Sequence, residues 1–331
     1  MEIKQTTQGV LIYITMTFYL RAFFVSLLAW LIAVIRRRLL GSQQKSIFIL
    51  KGLLGPVVCL ILVLGSPFFI IVSLLTGLIA LIQRWPVDRF LAQFERIMVW
   101  LGHGLYLVGF VLAVVSWGYR WYDVGHVPLQ NLFEVFLFLG MIYPVSLFCR
   151  RFLRVGGFAA DMLIGAIVLF PAGFVFHAEP QRLPPALQSW LFTPHVAVYM
   201  FSYIFIAKAT FQAICQLAGK NPKPGENLLP PEQAAYRIVC VGFPLLTLGL
   251  ILGSYWGKLA WGDYWGWDPK ELWSLVSWLV FVGYFHHRYM FGRKYPKLNS
   301  LWIITGMAAI IITLLWVNLS RLFPGLHSYA T

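Results

Sequence analysis

The chain has 331 residues and is 60% hydrophobic, 17% aromatic and only 11% charged. Soluble domains carry about 25% charged residues, so a fold of this size could not wet its surface. Soluble enzymes, disordered chains and disulfide-knit secreted domains are therefore excluded. Lys and Arg outnumber Asp and Glu by 26 to 12, a formal +14. In a membrane protein that excess marks cytoplasmic loops, and no nucleic-acid partner is expected. Cys59, Cys149, Cys215 and Cys240 lie in apolar segments without a close pair, so no zinc set, redox CxxC or disulfide framework is read. There is no CxxCH, so the chain is not itself a c-type cytochrome.

In chain order, residues 1–52 read as an N-terminal extension with one membrane helix over 10–35, which carries Arg21 at its middle. The apolar stretch runs straight into Arg36-Arg37-Arg38 without a small-residue cleavage site, so no cleavable signal is expected. Residues 53–96 read as a membrane segment and an inner loop. The segment is long for one upright helix and short for two, and Gly65-Ser66-Pro67 interrupts it; a kinked helix and a re-entrant pair both fit. From 97 onward, seven stretches can cross a bilayer: 97–118, 131–149, 156–177, 195–219, 237–256, 272–292 and 298–320. The predicted class is all-α, a polytopic transmembrane bundle of about 8–10 spanning or re-entrant helices.

Sidedness follows from the connections. The set 84–96, 150–155, 220–237 and 288–297 holds thirteen Lys and Arg; the alternate set 119–130, 178–194, 257–271 and 320–331 holds five. The first set is inner, and the C-terminus is outside.

The densest signal lies on the outer side. Trp256, Trp261, Trp265, Trp267 and Trp273 fall within eighteen residues, interleaved with Gly262 and Gly266 and followed by Asp268, Lys270 and Glu271. An interfacial aromatic belt is one reading. The other is a platform for a large flat ligand, with the glycines letting the loop flatten. His195 begins a spanning helix at its outer end, and His327 lies in the outer tail. Each can be an ordinary interfacial histidine; together they can also supply two axial imidazoles to haem iron. His286 and His103 fall in the inner half of the bilayer, where an ionisable group is a functional candidate or an interhelical hydrogen-bonding group.

The segment Trp261–Glu271 resembles the WGxYWxWDPKE signature of the tryptophan-rich (WWD) haem-handling membrane proteins, in the CcsA/ResC-type form. The run Gly125 to Glu134 is similar to that family's GxxPLSNLYES loop. Pro185 to Trp190, leading to His195-Val196, resembles its PALQSxW…HV segment, and Val317-Asn318 to Tyr329 its VN…GLHSY. The four matches run in order over roughly residues 97–331, which would make that stretch the haem-handling cytochrome c assembly domain. The Gln188-to-His195 spacing departs slightly, and residues 1–52 have no family counterpart.

The resemblance implies a cytochrome c synthase (haem lyase) subunit handling haem b. His195 and His327 match its outer axial ligands, His286 its intramembrane histidine, and Trp261, Trp265, Trp267 and Asp268 its haem platform, with Trp256 beside them. It further implies a CcsB/ResB-type membrane partner, apocytochrome c as substrate and a thioredoxin-like thiol-reducing pathway. The second intramembrane ligand comes from the partner in this family, which leaves His103 a candidate only. The expected location is a bacterial cytoplasmic membrane, or a thylakoid membrane, with the site on the outer side. Lys258, Lys270, Arg120, Arg182 and Arg321 are outer cations that could meet the haem propionates. The alternatives are a haem exporter or chaperone, a haem-b electron-transfer anchor and a transporter of another flat aromatic compound.

Overall fold

The computed structural model describes residues 6–40, 87–176, 179–220 and 227–317, and among them only helices and connecting turns occur. In order these are α1 (Thr7–Leu40), α2 (Val87–Val124), α3 (Leu132–Leu139), α4 (Tyr143–Phe152) and α5 (Phe158–Phe174). A 3₁₀ turn (Pro185–Leu187) precedes α6 (Phe192–Leu217), α7 (Pro231–Trp261), α8 (Pro269–Phe291) and α9 (Pro296–Ile311). A π-helical turn over Ile312–Trp316 extends α9. Six stretches are long and apolar enough to cross a membrane: Thr7–Arg37, Leu91–Val124, Leu132–Phe152, Phe192–Leu217, Pro231–Trp261 and Pro296–Trp316. The protein is an integral, multi-pass, all-α membrane protein.

Several boundaries differ from expectation. The helix expected over 97–118 begins at Val87 and ends at Val124, so residues 87–96, expected as part of an inner connection, are helical. The stretch 131–149 is broken into α3 and α4. Gly140 ends α3 where a Cβ would run into the Leu169 side chain, and Pro144 sits in the first turn of α4. Helix α5 has 17 residues and is short for an upright crossing. The segment 41–86, with its kinked-or-re-entrant alternative, lies outside the described residues, as does the tail that carries His327.

The described residues fall into two compact units. In the unit over Thr17–Gly109, α1 packs antiparallel on α2 through Val25, Leu28, Ile32, Phe94 and Met98. Gly102 and Gly109 let the helices close: a Cβ there would meet Ser26 Oγ or the Tyr19 ring at 2.6 Å. Arg36 pairs with Glu95 at 3.1 Å, which places it at the end of α2 that carries Arg89 and Arg96.

The other unit comprises Met1–Met16 with Phe110–Thr331. Its centre is the antiparallel α6–α7 pair, which meets along Gly242, Gly249 and Gly253 of α7. A Cβ at these positions would contact Phe205 at 3.2 Å, the Tyr199 ring at 2.9 Å and His195 at 2.5 Å respectively. Close backbone approach at small residues is how helices associate where lipid supplies no hydrophobic drive. Ser202 Oγ donates to Gly242 O at 2.8 Å across the same seam.

Buried charges in this unit are paired. Lys208 of α6 bonds Asp161 of α5, both almost fully buried. Arg120 of α2 pairs with Glu134 of α3 at 3.0 Å. At the N-terminal end of α7 Glu232 accepts from Arg288 of α8 and from Asn299 of α9. Isolated charges would be prohibitive at such depth, so these pairs fix which helices are neighbours.

Candidate functional site

His195 sits in the first turn of α6, after the 3₁₀ turn and Pro194 have brought the chain back to the helix end. Its ring fits only because α7 has glycine at 253. There Nδ1 lies 2.9 Å from Gly249 O. A carbonyl can only accept, so the Nδ1 nitrogen carries the proton and the lone pair belongs to Nε2. An imidazole with one nitrogen fixed on a carbonyl is the usual setting of a metal-binding histidine. Tyr199 and Trp256 bracket the ring, with centroids at 5.1 and 5.5 Å.

Trp256 is buried and donates Nε1–H to Ala186 O at 3.0 Å, tying α7 to the 3₁₀ turn before α6. Trp261 rests on it with centroids 5.2 Å apart. Gly262, at φ +91°, ends α7 in the left-handed region and turns the chain. Ser254 Oγ then donates to Tyr264 O at 2.9 Å, pinning the loop back on α7.

The DPKE end of the loop is a helix start. Asp268 is the N-cap of α8 and accepts from Lys270 N at 2.9 Å, and Glu271 closes a capping box. Glu271 Oε2 gathers two backbone donors, Gly266 N–H at 2.8 Å and Asp268 N–H at 3.2 Å. Trp267 is caught between them at φ +57°, a conformation that a bulky residue adopts only under constraint. The strained position is thus Trp267 rather than either glycine beside it. The indoles also share no plane: Trp256 and Trp261 are tilted by 52°, and Trp265 meets Trp267 edge-on at 85°. Edge-to-face contact is the arrangement that the ring quadrupole favours. The expected flat platform is in fact a set of separate faces.

These parts meet at a half-open cavity of about 170 Å³, whose walls include His195, Tyr199, Trp256, Trp265, Lys270 and Gln130. Of the aromatic set, Trp256 and Trp265 line it; Trp261 lies behind Trp256, and Trp267 is 67% exposed. Lys270 is the only Lys or Arg on its walls among the described residues. Burial pushes its ammonium down to about 8, against the pull of the Asp268 carboxylate. The other cations named from the sequence are not on its walls. Arg120 is buried on Glu134, Lys258 donates to Gly262 O, and Arg182 is exposed. Arg321 lies outside the described residues. The floor includes Thr313 and Leu314 of the π turn; such turns recur at functional sites.

His286 is elsewhere. It lies sixteen residues beyond Lys270 on α8, roughly 24 Å at 1.5 Å per residue, and its side chain is exposed on the helix surface. Its neighbours hold that end of α8: His287 Nδ1 bonds Asn299 Oδ1 at 2.9 Å, and Arg288 bonds Glu232. His103 lies on α2 in the other unit, also exposed. No group of three or more His, Cys, Asp or Glu side chains able to hold a metal ion occurs among the described residues. Gln130, Tyr199, Gly249 and Gly253 were not singled out from the sequence. The one available signal was the spacing of glycines 242, 249 and 253, which places them on one face of a helix.

Residues 129–324 match the sequence profile of the cytochrome C assembly protein family. The cytochrome c biogenesis protein CcsA of Guillardia theta is 31% identical over 289 residues, covering 78% of this chain and 94% of that protein. The protein of the same name from Chlamydomonas reinhardtii is 34% identical over 224 residues, 63% of each chain. That from Synechococcus sp. (strain JA-3-3Ab) is 31% identical over 279 residues, 63% of this chain and 79% of its own.

Proposed function

The chain belongs to the cytochrome c assembly protein family, and from that premise we propose that it is the CcsA/ResC-type haem-handling subunit of cytochrome c biogenesis. The observation that carries the reading is His195, held through Nδ1 by Gly249 O in a cavity walled by Trp256 and Trp265, with Lys270 as its one cation among the described residues. The donor set fits haem b as substrate: a neutral imidazole for iron, indole faces for the macrocycle and an ammonium for a propionate.

In this reading His195 ligates through Nε2, and His327 of the outer tail supplies the second axial imidazole. His286, exposed at the inner end of α8, takes haem up on the inner side. Trp256 and Trp265 would hold the macrocycle against their indole faces, and Lys270 would pair with a propionate. Asp268 and Glu271 act indirectly, by starting α8 where Lys270 and the tryptophans meet.

The reaction is addition of two apocytochrome CxxCH thiols to the two haem vinyl groups. Each S–H adds across one C=C, sulfur to the ring-proximal carbon and hydrogen to the terminal one, with no net oxidant. No side chain of the cavity is required as nucleophile; the chain contributes position, which converts an encounter into a unimolecular step. The substrate thiols must stay reduced, which assigns a thioredoxin-like pathway to the outer side. A CcsB/ResB-type subunit completes the synthase, in a bacterial cytoplasmic or a thylakoid membrane.

The test is co-expression with an apocytochrome c and that partner, scored by haem that survives denaturing electrophoresis. Covalent haem that requires His195 and His327, and returns in part with added imidazole, is the expected result. Haem bound but never attached would instead identify a haem exporter.

A further inference from the structure

Tyr199 touches both the histidine and the helix that carries the cavity's lysine. It lies one turn after His195 on α6, and its ring meets the imidazole edge-to-face with centroids 5.1 Å apart. The ring has room because α7 has glycine at 249, where a Cβ would stand 2.9 Å from it. The carbonyl of that same glycine is the one bonded to His195 Nδ1. The Tyr199 hydroxyl in turn bonds the side chain of Ser274. Ser274 lies one turn after Lys270 on α8, on the same helix face. All four side chains, His195, Tyr199, Ser274 and Lys270, line one cavity. Helices α6 and α8 each pack on α7 and on α9, so this bond joins them without the intervening helices. Tyr199 is buried, and a buried hydroxyl without its partner is costly, which holds the bond in place.

We propose that Tyr199 is a positioning residue that sets the span between His195 and Lys270: its ring steadies the imidazole, and its hydroxyl holds the turn of α8 that carries the lysine. The inference rests on the haem reading of this cavity and deepens it. Haem is rigid between its iron and the ring carbons that bear the propionates. A ligand and a cation on separate helices can therefore engage it together only at one separation. A tie one turn along from both groups fixes that separation before haem arrives, so the cost of ordering the two helices is not taken from binding. The consequence is a choice of substrate class. The cavity selects an iron macrocycle with an anionic arm over the same macrocycle with its carboxylates masked. Phenylalanine at 199 would keep the ring contact with His195 and lose only the tie to α8.

The test compares haem with its dimethyl ester, which carries the same iron and vinyl groups and no propionate charge. The full-length protein in detergent is titrated with each and followed in the Soret band, as wild type, Tyr199→Phe, Lys270→Gln and the double variant. Acid and ester partition differently into detergent, so Lys270→Gln sets the baseline preference. The preference for haem over that baseline is expected to fall about three- to tenfold in Tyr199→Phe, the yield of one charge-assisted hydrogen bond. Tyr199→Phe should change the preference no further once Lys270 is glutamine. Ser274→Ala removes the same tie from α8 and repeats the comparison should Tyr199→Phe fail to accumulate. Equal losses for the two ligands, or no loss for either, overturn the positioning role and leave the haem reading intact. A wild-type preference no greater than that of Lys270→Gln overturns the propionate pairing and this proposal with it, while His195 stands as a ligand. A wild-type protein that binds neither compound overturns the haem reading as well.

Discussion

Replacing Gly253 with alanine tests how His195 is held. A Cβ at 253 would stand 2.5 Å from His195 Cε1 and 3.0 Å from Nδ1. Carbon atoms rest about 3.5–4.0 Å apart, so the imidazole must retreat by roughly 1 Å. That movement breaks the 2.9 Å hydrogen bond to Gly249 O. Overpacking at such a contact costs about 1–3 kcal/mol, and loss of an outer partner of a ligating histidine lowers metal affinity about 10–100-fold. Gly253→Ala should therefore lose haem roughly to that extent, behave like His195→Ala, and recover low-spin haem with added imidazole. Gly242→Ala is the control. It lies on the same face of α7, where a Cβ meets Phe205 and Ile206 at 3.2–3.3 Å, away from the histidine. It should lower thermal stability and leave the haem spectrum unchanged. The assay is the Soret band of the purified proteins during titration with haem. A Gly253→Ala protein with wild-type affinity and spectrum would refute the argument that α7 positions the ligand.

Three further outcomes follow from the same geometry. The Lys270 ammonium, faced by Asp268 and Glu271, is lost as pH rises through about 8, so haem affinity should fall across pH 8–9 in the wild type and stay flat in Lys270→Gln. Because its folded-state pKa lies below the ordinary lysine value, deprotonation adds stability between about pH 8 and 10.5, and circular dichroism should show no unfolding over the window in which haem is lost. Trp267→Gly removes a bulky residue from φ +57° and should raise Tm, by up to about 1 kcal/mol of relieved strain, while weakening haem attachment in co-expression. Lys208→Met strands the Asp161 carboxylate and should destabilise the protein by about 3–5 kcal/mol; pairing it with Asp161→Asn should restore most of the loss in thermal melts.

Hydropathy made the membrane class and most of the crossings legible, because a bilayer demands long apolar stretches. It did not mark helix ends. Asp88, Arg89, Glu95 and Arg96 lie within α2, since a helix continues through the interface after its apolar stretch stops. The split of 131–149 came from Gly140 packing under Leu169, a long-range contact that no local pattern encodes. His195 could be singled out by its position at a helix end beside a tryptophan loop. Its tautomer could not, because Gly249 is fifty-four residues away. The Asp268-Pro-Lys-Glu271 run was read as part of a ligand platform, yet it also spells a capping box; one sequence served local helix initiation and the cavity wall together.

The most direct measurement is the visible spectrum of the purified protein, wild type against His195→Ala. A low-spin, bis-histidine haem signal that turns high-spin or disappears in the variant, and returns with imidazole, is what this account predicts. A spectrum indifferent to His195 would contradict it.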